Sequence, residues 1–123
     1  MKPKLQSLSV VVEQTADSVV ITDRDGNIEY VNPAFEATTG YTQQEVLGKT
    51  PRLLKSGKHK SSFYKDLWDT VLAGKAFRAV ITNRKKNSDL YYADQTITPI
   101  KDASGEITHF VSVWKDITER MHY

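Results

Sequence analysis

The chain has 123 residues, which suits one domain with a single hydrophobic core. Its net charge of +2, with acids and bases mixed along the chain, argues against nucleic acid or a membrane surface as the main partner. Cysteine is absent, which excludes disulfides, thiolate catalysis and cysteine-ligated metals and fits a reducing compartment. Because no export signal or membrane-spanning stretch is visible, we expect a soluble cytoplasmic segment without membrane contact.

The first predicted element is a short amphipathic helix over residues 1–16. Leu5, Leu8 and Val12 recur there at helical spacing and form an apolar stripe that needs a surface to cover. Two β-rich runs follow, separated by an Asp-Gly turn at 23–27, and predict a β-hairpin.

Three helices are predicted after the hairpin. Asn32 before Pro33 is typical of an N-cap followed by a first-turn proline. Residues 42–45 have the pattern of a capping box and begin a second, shorter helix. A longer helix begins near Ser61 and stops at Gly74, and its apolar residues are assigned to one side: Phe63, Leu67, Trp68, Val71 and Leu72. The basic segment before this helix, from Arg52 to Lys60, is predicted to be irregular.

Three extended segments complete the chain, at 77–83, 90–100 and 107–114. The order of strands and helices predicts an α+β fold, in which a five-stranded antiparallel sheet carries helices on one face. The predicted divisions are an N-terminal flanking helix at 1–16, the domain at 17–118 and the start of a C-terminal linker helix at 119–123.

Both faces of the last predicted strand are apolar and therefore need cover. Alternation places Phe110 and Trp114 on one face and Val111 and Val113 on the other. We expect a homodimer that buries the outward-facing valines together with the stripe of the N-terminal helix. The predicted interface residues are Leu5, Leu8, Val12, Val111 and Val113.

The inner face of the sheet is predicted to line a small-molecule pocket. Alternation puts Gln95 on the face that meets the helices, with Asn83 and Trp114 on the neighbouring strands. Two amides and an indole N–H among apolar side chains are typical of a ligand site. The predicted ligand-binding residues are Val20, Arg52, Ile81, Asn83, Ala93, Gln95 and Trp114.

Several short segments match one known family in their order and spacing. They are 20–23 before the Asp-Gly turn, 31–35 with 39–41, 45–48, 83–86, 96–99 and 116–120. On these segments the chain resembles the PAS domain family from about Asp17 to Arg120, closest to its redox and flavin branch. The resemblance implies the PAS fold.

The resemblance also implies a sensory or signalling domain of a bacterial signal-transduction protein, such as a sensor histidine kinase or a cyclic-dinucleotide regulator. Ligand or redox state would act through the last strand on an exit segment, Asp116, Ile117 and Thr118, and so on a downstream effector. Two alternatives stay open: a ligand-free dimerisation or interaction module with a filled core, and a noncovalent flavin redox sensor. Because domains with the PAS fold serve many functions, the function must be inferred from the residues of the site and not from the fold.

The cofactor is not determined by the residues, but flavin is the first one that the resemblance suggests. In the light-sensing branch an amide at the position of Asn83 reads the polar edge of the flavin ring, and an arginine at that of Arg52 meets phosphate. The reactive cysteine of that branch would fall at Pro51, a second amide is replaced by Ala93, and Trp114 stands at the ring-facing glutamine position. A light-driven adduct is therefore excluded.

Haem, metal and enzyme chemistry are disfavoured. Haem-containing relatives bind iron through a histidine on the long helix, and 61–72 has none, while His59, His109 and His122 are interpreted as surface side chains. The turn at 23–27 does not continue into a calcium loop, so no metal is expected. No phosphate loop, nucleophile elbow or zinc-protease motif is present, and we predict no catalytic activity.

Overall fold

The computed structural model describes residues 16–122, with side chains from 16 to 120. The segment predicted as the N-terminal helix, with Leu5, Leu8 and Val12, lies outside the described residues.

The strands form a single five-stranded antiparallel sheet in the order β2-β1-β5-β4-β3. They are β1 (Ser18–Asp23), β2 (Ile28–Val31), β3 (Phe77–Arg84), β4 (Leu90–Lys101) and β5 (Ile107–Asp116). This confirms the predicted fold class. The last strand in the chain lies at the centre of the sheet, between the N-terminal hairpin and β4.

The helices lie between β2 and β3 in the chain and cover the inner face of the sheet. They are α1 (Pro33–Thr39), α2 (Gln43–Val46), a 3₁₀ turn (Pro51–Leu54) and α3 (Ser61–Leu72), and a further 3₁₀ turn (Thr118–His122) follows β5. The three predicted α-helices are confirmed. The expectation that the basic segment is wholly irregular was wrong, because Pro51 starts a 3₁₀ turn that buries Leu54.

Asn32 joins the hairpin to the first helix. Its side-chain oxygen accepts a hydrogen bond from the Phe35 N–H at 3.0 Å and from the Val19 N–H at 2.9 Å. Its amide nitrogen donates to the Asp17 carbonyl at 2.9 Å. The side chain therefore caps α1 and holds it against β1, while Gly40, at a φ of 82°, ends the helix in the left-handed conformation that glycine adopts without strain.

The interior consists of two apolar clusters rather than one continuous core. The first contains Val20, Ile28, Val31, Phe35, Val46, Leu54, Tyr91, Ala93 and Trp114. The second contains Leu67, Val71, Ile81, Ile97 and Phe110. Each cluster combines residues of the sheet with residues of the helices, so the layers are held together at two separate places.

The face assignments for the sheet are confirmed, whereas part of that for the long helix was wrong. Gln95 and Trp114 point inwards and are 8% and 2% exposed. On α3, however, Trp68 is 42% and Leu72 is 60% exposed. They lie one position beyond the buried Leu67 and Val71, and a step of about 100° per residue moves them to the margin of the buried face. The Trp68 ring still packs edge-on against Phe110, with centroids 5.7 Å apart.

Within residues 16–122, no helix combines the length and apolarity that crossing a bilayer requires. The same part of the chain holds no group of three or more metal-ligating side chains placed to bind an ion.

Candidate functional site

A cavity of about 520 Å³ lies between the two apolar clusters, within the size range of small-molecule sites. The inner face of the sheet forms one wall. The opposite wall is formed by α3 and by residues 50–55, which belong to a connecting segment that we call the strap (50–60). The cavity exists because strap and helix bridge the two clusters without filling the space between them.

The sheet wall of the cavity carries a hydrogen-bond acceptor and a donor on neighbouring strands. Gln95 on β4 and Trp114 on β5 are directly opposite each other in the antiparallel register. The Gln95 Oε1 and Trp114 Nε1 atoms are both buried, and neither has a hydrogen-bond partner in the described part of the chain. Leaving such a buried group unpaired costs about 1–3 kcal/mol. Phe35 packs edge-on against the indole, with ring centroids 5.8 Å apart, and orients it.

Asn83 adds a second amide to the same cavity from β3. It is 8% exposed and lies opposite the buried Tyr91 in the strand register. Burial raises the pKa of the Tyr91 phenol, and the effect of the Asn83 amide in lowering that pKa is smaller. The phenol therefore stays neutral at physiological pH.

Six of the seven residues predicted to bind a ligand line the cavity: Val20, Arg52, Ile81, Asn83, Gln95 and Trp114. Ala93, the seventh, faces inwards and is fully buried but does not line the cavity. Its methyl group belongs to the first apolar cluster, where it packs with larger neighbours.

The charged side chains that line the cavity are net positive, with Arg52, Lys55 and Lys65 against the exposed Asp25. Arg52 and Lys65 line the cavity and are exposed to solvent, and Lys55 is half-buried beside them. Lys65 forms an ion pair with Asp69 at 2.6 Å, and the Lys55 ammonium lies 4.0 Å from the centre of the Tyr64 ring. Arg52 has no ion-pair partner among the described residues, so its guanidinium is free to meet an anionic group.

The strap is hydrogen-bonded to β3, an edge strand of the sheet. Lys55 forms an isolated bridge with Asn83, and the Ser56 hydroxyl donates to the Thr82 carbonyl at 2.6 Å. The Thr82 N–H donates to His59 Nε2 at 2.9 Å. These bonds satisfy edge groups that would otherwise lack a partner in the sheet.

The interpretation of His59 as a surface side chain was therefore wrong. Its ring is half-buried, stacks on Phe63 with centroids 4.2 Å apart and accepts the Thr82 hydrogen bond. The sequence places this histidine among lysines, and only the approach of the strap to β3 gives it a partner.

The sequence prediction also missed Tyr64, which lines the cavity from α3. Tyr64 was not among the residues assigned to the apolar side of this helix, which are Phe63, Leu67, Trp68, Val71 and Leu72. Its i,i+4 spacing from Trp68 puts both residues on one side of α3, but only the packing of the helix shows that this side meets the cavity.

The segment that leaves the domain is bonded to β4 as well as being continuous with β5. The Ile117 N–H donates to the Tyr92 carbonyl at 2.9 Å, and the Tyr92 N–H donates to the Thr118 hydroxyl at 3.1 Å. The Asp116 carboxylate accepts from the Thr118 N–H at 3.0 Å and from the Thr118 hydroxyl. Asp116, Ile117 and Thr118 thus form an anchored turn two residues after Trp114.

The sequence profile of the PAS domain matches residues 16–119. This chain belongs to the PAS domain family. A PAS domain is a sensory and regulatory module and is not catalytic on its own, and the sheet order and helix positions above are those of its fold.

The PAS domain is similar to parts of larger regulatory proteins. It is 35% identical over 108 residues to a nitrogen fixation regulatory protein of Klebsiella oxytoca, covering 88% of this chain and 22% of that protein. It is 32% identical over 110 residues to a blue-light-activated histidine kinase of Brucella canis, covering 87% of this chain and 22% of the kinase. The chain thus spans about a fifth of the length of these relatives.

Two solved structures share its fold. An RNA-binding light-oxygen-voltage receptor superposes with a TM-score of 0.88 at 25% identity, over 95% of this chain and 34% of the receptor. A PAS domain from Colwellia psychrerythraea superposes with a TM-score of 0.88 at 19% identity, over 95% of this chain and 99% of that domain.

Replacing His59 tests whether its ring holds the strap on β3. In His59→Ala the Thr82 N–H loses its acceptor, and we expect its hydrogen exchange to accelerate by about tenfold. His59→Gln supplies another acceptor and should retain part of the protection. Exchange measured residue by residue by NMR checks this. The matched control is His109→Ala, which removes another half-buried histidine, one that is paired with Glu29 at 3.1 Å. Unchanged hydrogen exchange at Thr82 in His59→Ala would contradict the role of His59 in holding the strap on β3.

Proposed function

We propose that this PAS domain senses a planar heteroaromatic ligand in its internal cavity and passes its occupancy or redox state to an effector. The observation that carries the proposal is the pair of unpartnered atoms, Gln95 Oε1 and Trp114 Nε1, on two cross-strand partners that both line the cavity. A ligand edge with an N–H next to a C=O would satisfy both atoms. Lactams and imides have such an edge.

Flavin is the member of this ligand class that we favour. Its ring system carries an imide edge, and its phosphate would meet Arg52 and Lys55 at the mouth. Two proteins with similar PAS regions are named for responses to light, a blue-light-activated kinase and a light-oxygen-voltage receptor, which supports flavin by analogy. A bound flavin supplies reversible electron transfer. This chain's residues would bind and orient the ring without a cysteinyl bond, since the chain has no cysteine.

A ligand-free interaction module is the second candidate function. It requires an interior that is stable without a bound ligand, and ordered water would then satisfy the polar atoms of the cavity. The exposed Val80 and Val113 on the sheet favour this candidate, because apolar groups at such positions often contact a partner. The size of the cavity favours the ligand, because Trp68, which lines the cavity and packs edge-on against Phe110, leaves this space open.

Gln95→Leu separates the two candidates. If the amide serves a ligand, the variant removes an unpaired buried group, and the thermal unfolding midpoint of the ligand-free domain should stay equal or rise. Affinity for flavin mononucleotide should fall by about tenfold or more, because the ligand loses a buried hydrogen bond. Fluorescence titration and calorimetry check this, and Gln44→Leu on the exposed face of α2 is the matched control. A wild-type domain that purifies colourless and binds neither flavin mononucleotide nor riboflavin would leave the interaction module in place.

The proposed signal path starts at Trp114 and ends in the anchored turn. Both lie on one continuous element, and the turn is bonded to Tyr92 of the neighbouring strand. A ligand that moves the indole shifts the conformational equilibrium of the anchored turn only if it binds two arrangements of this turn with unequal affinity. The effector that follows is proposed from the regulatory relatives, which extend well beyond the PAS domain.

Thr118→Val tests this path. It removes the hydroxyl that accepts from the Tyr92 N–H, so ligand-induced NMR shifts at Tyr92 and Ile117 should shrink by at least about half, while affinity changes less than about twofold. The control is Thr98→Val, at an exposed position of β4 away from the turn. Equal shifts in Thr118→Val and wild type would rule this anchor out as part of the path.

Homodimerisation through the outer sheet face and the N-terminal helix stays a proposal. Val113 is 37% exposed and Val111 is half-buried beside it. The domain limits at 17–118, a cytoplasmic location and the lack of a nucleic-acid partner likewise remain predictions from the sequence.

Val113→Glu would place a charge in the proposed interface and should convert the dimer to a monomer, because burying an unpaired carboxylate is costly. Sedimentation velocity over a range of concentrations measures this. Leu8→Glu should have the same effect, whereas Val80→Glu, at the far edge of the sheet, should not. A wild-type chain that sediments as a monomer at high concentration would refute the dimer.

A further inference from the structure

Tyr64 lines the cavity and carries a third unpartnered polar atom. Its hydroxyl oxygen is buried and has no hydrogen-bond partner among the residues that the structure describes. The side chain comes from α3, on the wall opposite the sheet that carries Gln95 and Trp114. A phenylalanine at this position would fill the same space without an unmet polar group, so packing alone does not explain the hydroxyl.

The ring of Tyr64 is held on several sides. The Lys55 ammonium lies 4.0 Å from its centroid, and the Phe63 and His59 rings lie edge-on with centroid distances of 5.3 and 6.0 Å. A cation over the ring face and two perpendicular rings restrict its rotation. The hydroxyl is therefore fixed before any ligand arrives, which lowers the entropic cost of a hydrogen bond to it.

The position of Tyr64 indicates which part of a ligand it meets. Lys55 contacts the ring, and the next residue of α3, Lys65, lines the exposed mouth. A flavin that turns its imide edge to Gln95 and Trp114 carries its N10 chain on the central ring, and we place that chain on the side of the cavity mouth. Burial raises the pKa of the Tyr64 phenol, so the hydroxyl is neutral and can donate as well as accept.

We infer that the Tyr64 hydroxyl is a specificity-determining contact, which hydrogen-bonds a hydroxylated side chain on the ligand near the cavity mouth. This rests on the proposed function, since it requires a ligand in the cavity. It extends that function by selecting among ring systems with the same polar edge. A ring that bears only methyl groups would bind through Gln95 and Trp114 but gain nothing from Tyr64.

The test compares two probes that share one ring system. Riboflavin carries a hydroxylated chain, and lumiflavin carries a methyl group in its place. In Tyr64→Phe, affinity for riboflavin should fall by about tenfold while affinity for lumiflavin changes less than about twofold. The unfolding midpoint of the ligand-free variant should stay equal or rise. The control is Tyr41→Phe, at a half-buried tyrosine that packs on the first cluster and does not line the cavity.

The outcomes distinguish this inference from the proposed function. If wild type binds riboflavin and Tyr64→Phe binds it equally well, or loses both probes equally, only the Tyr64 assignment is overturned. A lower midpoint for ligand-free Tyr64→Phe also overturns it, because the hydroxyl would then stabilise the fold, and this readout needs no ligand. If wild type binds neither probe, the flavin proposal fails, and the inference fails with it.

Discussion

The register of β4 against β5 is the constraint on which the rest of the structure depends. It places Gln95 opposite Trp114, which creates the donor and acceptor pair of the cavity. It also places Ala93 opposite Asp116, so that Tyr92 reaches the exit turn. A slip of one residue would turn every side chain of one strand to the other face. The cavity and the exit therefore depend on the same set of backbone hydrogen bonds.

The interior is not arranged for maximum stability. Two apolar clusters hold sheet and helices together, yet the space between them is left to polar atoms without partners. Buried polar groups without partners lower the stability of the fold, and proteins retain them mainly at sites where a function requires them. Gln95→Leu and Tyr64→Phe are informative for this reason, since each is expected to reduce binding without weakening the ligand-free fold.

The strap contacts both the edge strand β3 and the cavity. Through Ser56 and His59 it occupies backbone groups of Thr82 that an edge strand would otherwise offer to another chain. The same segment lines the cavity with Leu53, Leu54 and Lys55. Protection of the edge and closure of the site are thus performed by one short stretch of chain.

The sequence by itself determined the local structure and the faces of the strands. Capping residues such as Asn32 and the period of two along β4 act over a few residues, and they predicted the helices, the sheet and the inward position of Gln95 and Trp114. Tertiary structure decided what depends on distant segments meeting. The bond from Thr82 to His59, the place of Tyr64 in the cavity and the exclusion of Ala93 from its lining have no local signature, because each depends on how strap, helix and sheet pack.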